Sequence, residues 1–150
     1  MDNYIFWILT AAYAVHIIEE FFLDWRSWTK RISGLELSWR EFAIANTIVI
    51  VIGVVASMIG FSHPLLSYIF VGLVATNAII AHLATTIIKR CFSPGLISSL
   101  CLFIPLSVWA YHIAAKRGLL TTELLVISLV GGLVIMSIPV VFQLLKNKLR

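Results

Sequence analysis

Apolar residues fall into five long runs that short polar segments separate. The runs cover residues 4–23, 42–61, 65–88, 96–115 and 124–145. At a rise of 1.5 Å per residue, about 20 residues cross the ~30 Å hydrocarbon core of a bilayer as an α-helix. The alternating apolar and polar pattern of membrane β-strands does not occur. The pattern therefore predicts an all-α, multi-pass transmembrane bundle of five helices, built as a single domain over residues 1–150.

Helix-start signals precede three of these runs. Ser38 and Glu41 have the spacing of a capping box, which predicts a helix start just before the second run. Pro64 and Pro94 are expected at the first helical positions of the third and fourth helices, where a missing N–H costs little. Ser93, directly before Pro94, is the expected N-cap of the fourth helix.

Composition supports the membrane interpretation. The chain is 61% hydrophobic and only 12% charged, and its mean hydropathy is +1.02. A soluble domain is closer to half apolar and one quarter charged, so an ordinary soluble globule is excluded. The net charge of +4 would suggest nucleic acid as the partner of a soluble protein. Here, however, the basic residues lie in the polar segments next to the ends of the apolar runs, and no Gly-rich phosphate-binding loop occurs. The expected partner is the lipid bilayer, with neither nucleic acid nor nucleotide.

The distribution of Lys and Arg predicts the orientation of the chain. Nine lie in the segments 24–41, 89–95 and 146–150, which share one side of a five-span protein, and two lie on the other side. The positive-inside rule places the more basic side in the cytoplasm. We therefore expect the inner (cytoplasmic) membrane, with the N-terminus outside. Segment 24–41 also carries three Trp residues and is expected to lie along the inner surface as an interfacial segment.

The first span carries three ionisable residues on one face. His16 is followed by Glu19 and Glu20 at helical spacings i+3 and i+4. A charged side chain at the centre of a bilayer costs about 2.5–3.5 kcal/mol on insertion scales, so such residues commonly mark functional sites. Since every Lys and Arg lies outside the spans, the cationic partners inside them are histidines or a bound metal ion.

Depth in the membrane selects the residues that can meet this cluster. The first and third spans run in the same direction, and His16 and His82 lie at about the same distance from their inner ends. Asn46 of the second span is also in the inner half, whereas His63 and His112 lie near the opposite side. Asn77 is deeper and about 140° around the helix from His82. Asn46 and Asn77 are therefore expected to line a cavity rather than to bind metal.

These residues carry a resemblance to a known family. The pentapeptide His16-Ile17-Ile18-Glu19-Glu20, the aromatic-rich loop after it, the second span with its Asn, the His of the third span and the Ser93-Pro94-Gly95 turn resemble the uncharacterised bacterial HXXEE membrane-protein family. The similarity covers about the whole chain. It supports the polar cluster as the site of interest and implies no particular reaction.

The donor set favours a divalent metal ion. Imidazole and carboxylate at i and i+4 form half of a metal site, and a histidine from a facing helix completes three ligands with an open position. By analogy with the inverted zinc-protease signature, we predict His16, Glu20 and His82 as ligands of zinc or iron. Glu19 is then the general base of a hydrolase acting on a membrane-embedded or amphipathic substrate. A second assignment makes both glutamates ligands of a di-metal site.

Other interpretations of the cluster remain open at this stage. The glutamates can titrate against the histidines in a proton- or ion-coupled transporter or channel, for which a homo-oligomer is expected because five spans enclose little pathway. The cluster can also lock helix packing in a non-catalytic assembly subunit. In the simplest alternative, Glu19 and Glu20 extend to the headgroups and pair with Arg26 or Lys30.

Overall fold

The computed structural model describes residues 3–148, with side chains through residue 146. Arg150, which the charge count includes, lies outside the described residues. Within them the chain forms helices and no strand, and 86% is helical. The six helices are α1 Tyr4–Phe22, α2 Trp25–Ser33, α3 Trp39–Ile59, α4 Pro64–Lys89, α5 Leu96–Lys116 and α6 Thr122–Lys148. All except α2 are long and apolar enough to cross a membrane. The predicted all-α bundle of five spans is confirmed.

The distribution of side chains is that of a protein surrounded by lipid. Large apolar residues point outwards, with exposures of 78% at Phe22, 74% at Ile88 and 71% at Met58. Several polar groups lie inside, including two histidines and a glutamate. In water this arrangement would expose a large apolar surface, whereas a bilayer covers it at no cost. The chain is therefore a membrane protein.

Segment 24–41 contains a short helix rather than an extended loop. α2 begins after Asp24, whose carboxylate accepts a hydrogen bond from the Ser27 N–H at 3.4 Å. It ends at Gly34, where φ is +71°. Trp28 and Thr29 are buried, so α2 packs against the bundle as well as connecting α1 to α3.

Two of the predicted helix starts are confirmed and one is wrong. Ser38 and Glu41 form the capping box before α3, and Pro64 is the first residue of α4. However, α5 begins at Leu96 with Gly95 as its N-cap, so Pro94 lies outside the helix. The Ser93 side chain does not cap α5, because its Oγ lies 3.0 Å from the Nδ1 atom of a histidine on α4.

The central helix α4 positions the candidate site. It packs most extensively against α6, and their backbones meet at glycines: a Cβ atom on Gly72 would overlap the Ser128 backbone, and one on Gly132 would overlap Leu73. Further along, α4 widens into a π-helical segment, Asn77–Ala84, and α5 does the same early in its course at Ser99–Phe103. The two segments contact each other. Such π-helical turns occur frequently at functional sites.

Candidate metal centre

Two histidines and one glutamate converge between α1 and α4. The Nε2 atoms of His16 and His82 each lie 3.6 Å from the same carboxylate oxygen, Oε1 of Glu20. One ligand atom from each of the three residues lies within 4.8 Å of the others. Both histidines are fully buried, and Glu20 is 6% exposed. The structure therefore brings together the three residues that the sequence predicted as metal ligands.

The outer nitrogen of each imidazole is held by a serine. His16 Nδ1 lies 2.7 Å from Ser98 Oγ, and His82 Nδ1 lies 3.0 Å from Ser93 Oγ. Each hydroxyl also lies within hydrogen-bonding distance of a backbone carbonyl, 3.2 Å from that of Gly95 and 3.3 Å from that of Pro94. A hydroxyl that donates to its carbonyl accepts from the histidine, and we adopt the corresponding tautomer, in which the proton is on Nδ1.

This tautomer leaves a lone pair on each Nε2 atom, inside the cluster. Both Nε2 atoms are buried, and neither has a hydrogen-bond partner. They face a carboxylate oxygen, so in this tautomer three electron-rich atoms converge in a buried space. Such an arrangement costs free energy unless a cation or a proton lies among them. The donor atoms therefore fit a divalent metal ion, and each histidine has a hydrogen-bond partner at its other ring nitrogen, as metal-ligating histidines usually do.

Glu19 points away from this cluster. Its Oε1 accepts hydrogen bonds from the backbone N–H groups of Gly95 and Ile97, both at 3.1 Å, and its Oε2 accepts from the Ser98 N–H at 2.7 Å. The carboxylate of α1 thus caps the N-terminus of α5, where the helix dipole favours a negative charge. The sequence predicted Glu19 as a general base beside the metal, but the structure engages both of its oxygens elsewhere.

The interpretation of the two glutamates as headgroup-level boundary residues does not fit the contacts. Glu20 is buried between the histidines. The two basic residues expected to pair with the glutamates have other partners: Arg26 donates to the Leu37 carbonyl at 2.7 Å, and Lys30 lies 2.8 Å from Glu36.

Gly95 lies directly over the two histidine rings. A Cβ atom built there would lie 2.6 Å from Cε1 of His16 and 2.6 Å from Cε1 of His82. Its φ of +94° is also one that side chains rarely adopt. Sequence reasoning missed Gly95 and Ser98 as parts of the site and assigned Ser93 to capping. The Ser93-Pro94-Gly95 turn was the available signal, although it does not indicate contact with another helix.

A cavity of about 350 Å³ adjoins the site. Glu20 forms part of its wall, and the structure places both predicted cavity residues, Asn46 and Asn77, in the same wall. Tyr13 Oη donates to Asn46 Oδ1 at 3.5 Å, while Asn77 Oδ1 is buried without a hydrogen-bond partner. Most of the remaining wall is apolar and comes from α3, α4 and α6. Glu20 is therefore reached from a space that suits a small, mainly apolar molecule.

Comparison with known proteins agrees with the resemblance. Residues 7–110 match the family described as "Protein of unknown function with HXXEE motif". The chain belongs to the HXXEE family. The matched range includes the motif residues His16, Glu19 and Glu20, as well as His82 and the serine behind each histidine.

A relative extends the similarity along most of the chain. The chain is 31% identical over 144 residues to "Uncharacterized protein YrkK" of Bacillus subtilis (strain 168), covering 88% of this chain and 89% of the relative. No solved structure matches.

Proposed function

We propose that this HXXEE protein binds a divalent transition metal ion through His16 Nε2, His82 Nε2 and the Glu20 carboxylate. One observation carries the proposal: the unpartnered Nε2 atoms of two buried histidines converge on one buried carboxylate oxygen, and each ring has at its Nδ1 atom a serine hydroxyl that can accept the proton. Two imidazoles and a carboxylate suit zinc and ferrous iron, and three protein ligands leave a position open for a reactant.

The proposed activity is metal-dependent hydrolysis of a membrane-embedded or amphipathic substrate. The cavity beside Glu20 supports this activity, since it offers a largely apolar space next to the proposed metal ligands. A bound divalent ion would supply Lewis acidity and lower the pKa of a coordinated water. In this proposal Glu19 holds the start of α5, and thereby Ser98, in place and does not transfer protons.

We further propose that the protein resides in the cytoplasmic membrane with its metal site in the cytoplasmic half. The supporting observation is the excess of Lys and Arg on the side of the bundle that contains segments 24–41 and 89–95.

Elemental analysis of the purified protein tests the metal site. Wild-type protein, purified without chelator, is expected to contain about one zinc or iron per chain. His16→Ala, His82→Ala and Glu20→Ala should each lose the metal while eluting as folded protein. His112→Ala is the matched control and should retain it, because His112 is exposed and outside the cluster. Folded wild type that contains no metal and takes up neither zinc nor ferrous iron would overturn the proposal.

A proton relay is the second candidate function, and the position of Glu20 favours it. The carboxylate lies at the same 3.6 Å from both histidines, so a shared proton could take the place of the metal. The relay predicts proton flux into liposomes that Glu20→Gln abolishes and that does not depend on added metal. Flux equal to that of protein-free liposomes would exclude it.

A further inference from the structure

A charged cleft of about 300 Å³ lies between α2, the start of α3 and the end of α6. Its described lining includes three basic and two acidic side chains: Arg26, Lys30, Lys146, Glu36 and Glu41. Glu36 pairs with the Lys30 ammonium at 2.8 Å. Glu41 pairs with the Lys146 ammonium at 2.6 Å. The described part of the cleft therefore holds one more positive than negative charge, and the excess is on Arg26.

Arg26 is held in place and still has hydrogen-bond donors available. Its Nε–H donates to the Leu37 carbonyl at 2.7 Å, and its guanidinium lies 4.3 Å from the centre of the Trp39 ring. Since a guanidinium has five N–H donors, the four on its two Nη atoms remain. Among the side chains that the structure describes, no carboxylate forms an ion pair with Arg26. Asp24, two residues earlier, is exposed and accepts from the Ser27 N–H instead.

An apolar groove of about 500 Å³ leads from Trp39 into the bilayer, between α1 and α3. Trp39 joins the groove to the cleft, because its ring contacts Arg26 and also packs against Phe21 at 4.8 Å between ring centroids. Phe21 and Trp39 are about half exposed, so the groove is open to the surrounding lipid. At 1.5 Å per residue, the groove follows α3 from Trp39 to Ile50 for roughly 16 Å, which is close to one leaflet of a ~30 Å hydrocarbon core.

We propose that the cleft and the groove together bind one anionic glycerophospholipid. Its phosphate accepts hydrogen bonds from the Nη groups of Arg26, and one acyl chain lies in the groove between α1 and α3. The fork of a guanidinium suits a phosphate because it donates two parallel hydrogen bonds.

The charge of the cleft selects the class of lipid. Its single excess positive charge matches the single negative charge of phosphatidylglycerol. A zwitterionic lipid would bring a second cation to a cleft whose two described carboxylates are already paired. The groove favours a lipid over a free phosphate ester, since only a lipid has an apolar chain to fill it. The inference is independent of the metal site, because none of the three proposed ligands lines the cleft or the groove.

Native mass spectrometry of the purified protein, titrated with single phospholipids, tests the site. Dioleoyl phosphatidylglycerol and dioleoyl phosphatidylcholine have the same chains and differ in the head group. We expect one phosphatidylglycerol per chain, bound about tenfold more tightly than phosphatidylcholine, the factor that one hydrogen bond to a charged group supplies. Glycerol 1-phosphate, which has no chains, should not be retained. Equal affinity for the two lipids, or retention of glycerol 1-phosphate as tight as that of the lipid, would overturn the inference.

Two matched pairs of variants test the head-group cleft and the groove separately. Arg26→Gln should remove the preference for phosphatidylglycerol. Arg31→Gln removes the same charge from an exposed position of α2 outside the cleft and should leave the preference unchanged. General attraction between a basic helix and anionic lipid would instead weaken in both variants alike.

The second pair does not depend on the folding of the Arg26 variant. Ala43→Trp fills the groove and should weaken the binding of both lipids. Ile48→Trp, at an exposed position of α3 outside the groove, should leave it unchanged. Equal effects of the two arginine variants, or of the two tryptophan variants, would overturn the inference.

Discussion

At the residue scale, two serines decide what the histidines can do. As acceptors at Nδ1, Ser98 and Ser93 leave the Nε2 lone pairs of His16 and His82 facing Glu20. Without either hydroxyl, the Nδ1 atom beside it loses the partner that favours this tautomer. In the proposed metal site the serines would thus set the affinity without contacting the metal themselves.

Ser98→Ala is expected to weaken metal binding by about 10–100-fold. That is the usual effect of removing the hydrogen-bond partner of a metal-ligating side chain. Titration against a competing chelator measures the change. Ser107→Ala is the matched control, since Ser107 is a buried serine of the same helix whose Oγ has no hydrogen-bond partner. Equal affinities of the two variants would contradict the assigned role.

Gly95→Ala is expected to disrupt the site because the new Cβ would collide with both histidine rings. Gly34→Ala is the matched control: Gly34 also has a positive φ, +71°, and nothing within 4 Å of its Cβ position. The control therefore carries only the backbone strain, about 1–2 kcal/mol. Chemical denaturation in detergent should show a larger loss for Gly95→Ala, together with loss of metal. Similar losses in the two variants, with metal retained in both, would show that the glycine is not packed on the histidines.

At the element scale, α1 and α5 are joined through one carboxylate. Glu19 satisfies three N–H groups at the start of α5, a task that Ser93 was predicted to perform locally. Since Ser98 is one of the three donors, the same contact positions the serine behind His16. The tandem glutamates of the HXXEE motif thus perform different tasks, one in helix capping and the other in the cluster.

Glu19→Gln keeps the shape of the side chain and replaces one acceptor oxygen by an NH₂ group that cannot accept. We expect a loss of about 1–3 kcal/mol in the free energy of unfolding, because hydrogen bonds to a charged group are lost at a helix start that has no other side-chain cap. Metal affinity should fall as well, through displacement of Ser98. Glu123→Gln, in the exposed first turn of α6, is the control: it loses only the helix-dipole contribution, about 0.3–1 kcal/mol, and should not change metal affinity. A Glu19→Gln variant as stable as this control would contradict the capping role.

At the scale of the whole molecule, the outer surface is largely apolar and most of the basic residues lie towards one end of the bundle. Cys91 lies between α4 and α5 at the basic end, and Leu120 lies between α5 and α6 at the other end. Because α5 lies between them, a spanning α5 puts these two loops on opposite sides of the membrane, and the positive-inside rule assigns the Cys91 loop to the cytoplasm.

A membrane-impermeant thiol reagent tests this orientation. With Cys101→Ala leaving Cys91 alone, labelling is expected in inverted vesicles and not in right-side-out vesicles. Leu120→Cys, in a chain without Cys91 and Cys101, should give the opposite result. Labelling of Cys91 in right-side-out vesicles would reverse the proposed topology.

The five spans follow from the amino-acid sequence alone, because a run of some 20 consecutive apolar residues is a local property that length and composition reveal. The sequence also predicted the cluster of His16, Glu20 and His82 that the structure brings together, since the i to i+4 spacing gives one half and equal depth selects His82 as the other. The partner of each glutamate became clear from the packing of the helices, because Glu19 and Glu20 are about 100° apart on an ideal helix and their roles depend on which helix packs against each. The same is true of Gly95 and the two serines: their hydrogen bonds and contacts reach partners 11 to 82 residues away, which no local pattern encodes.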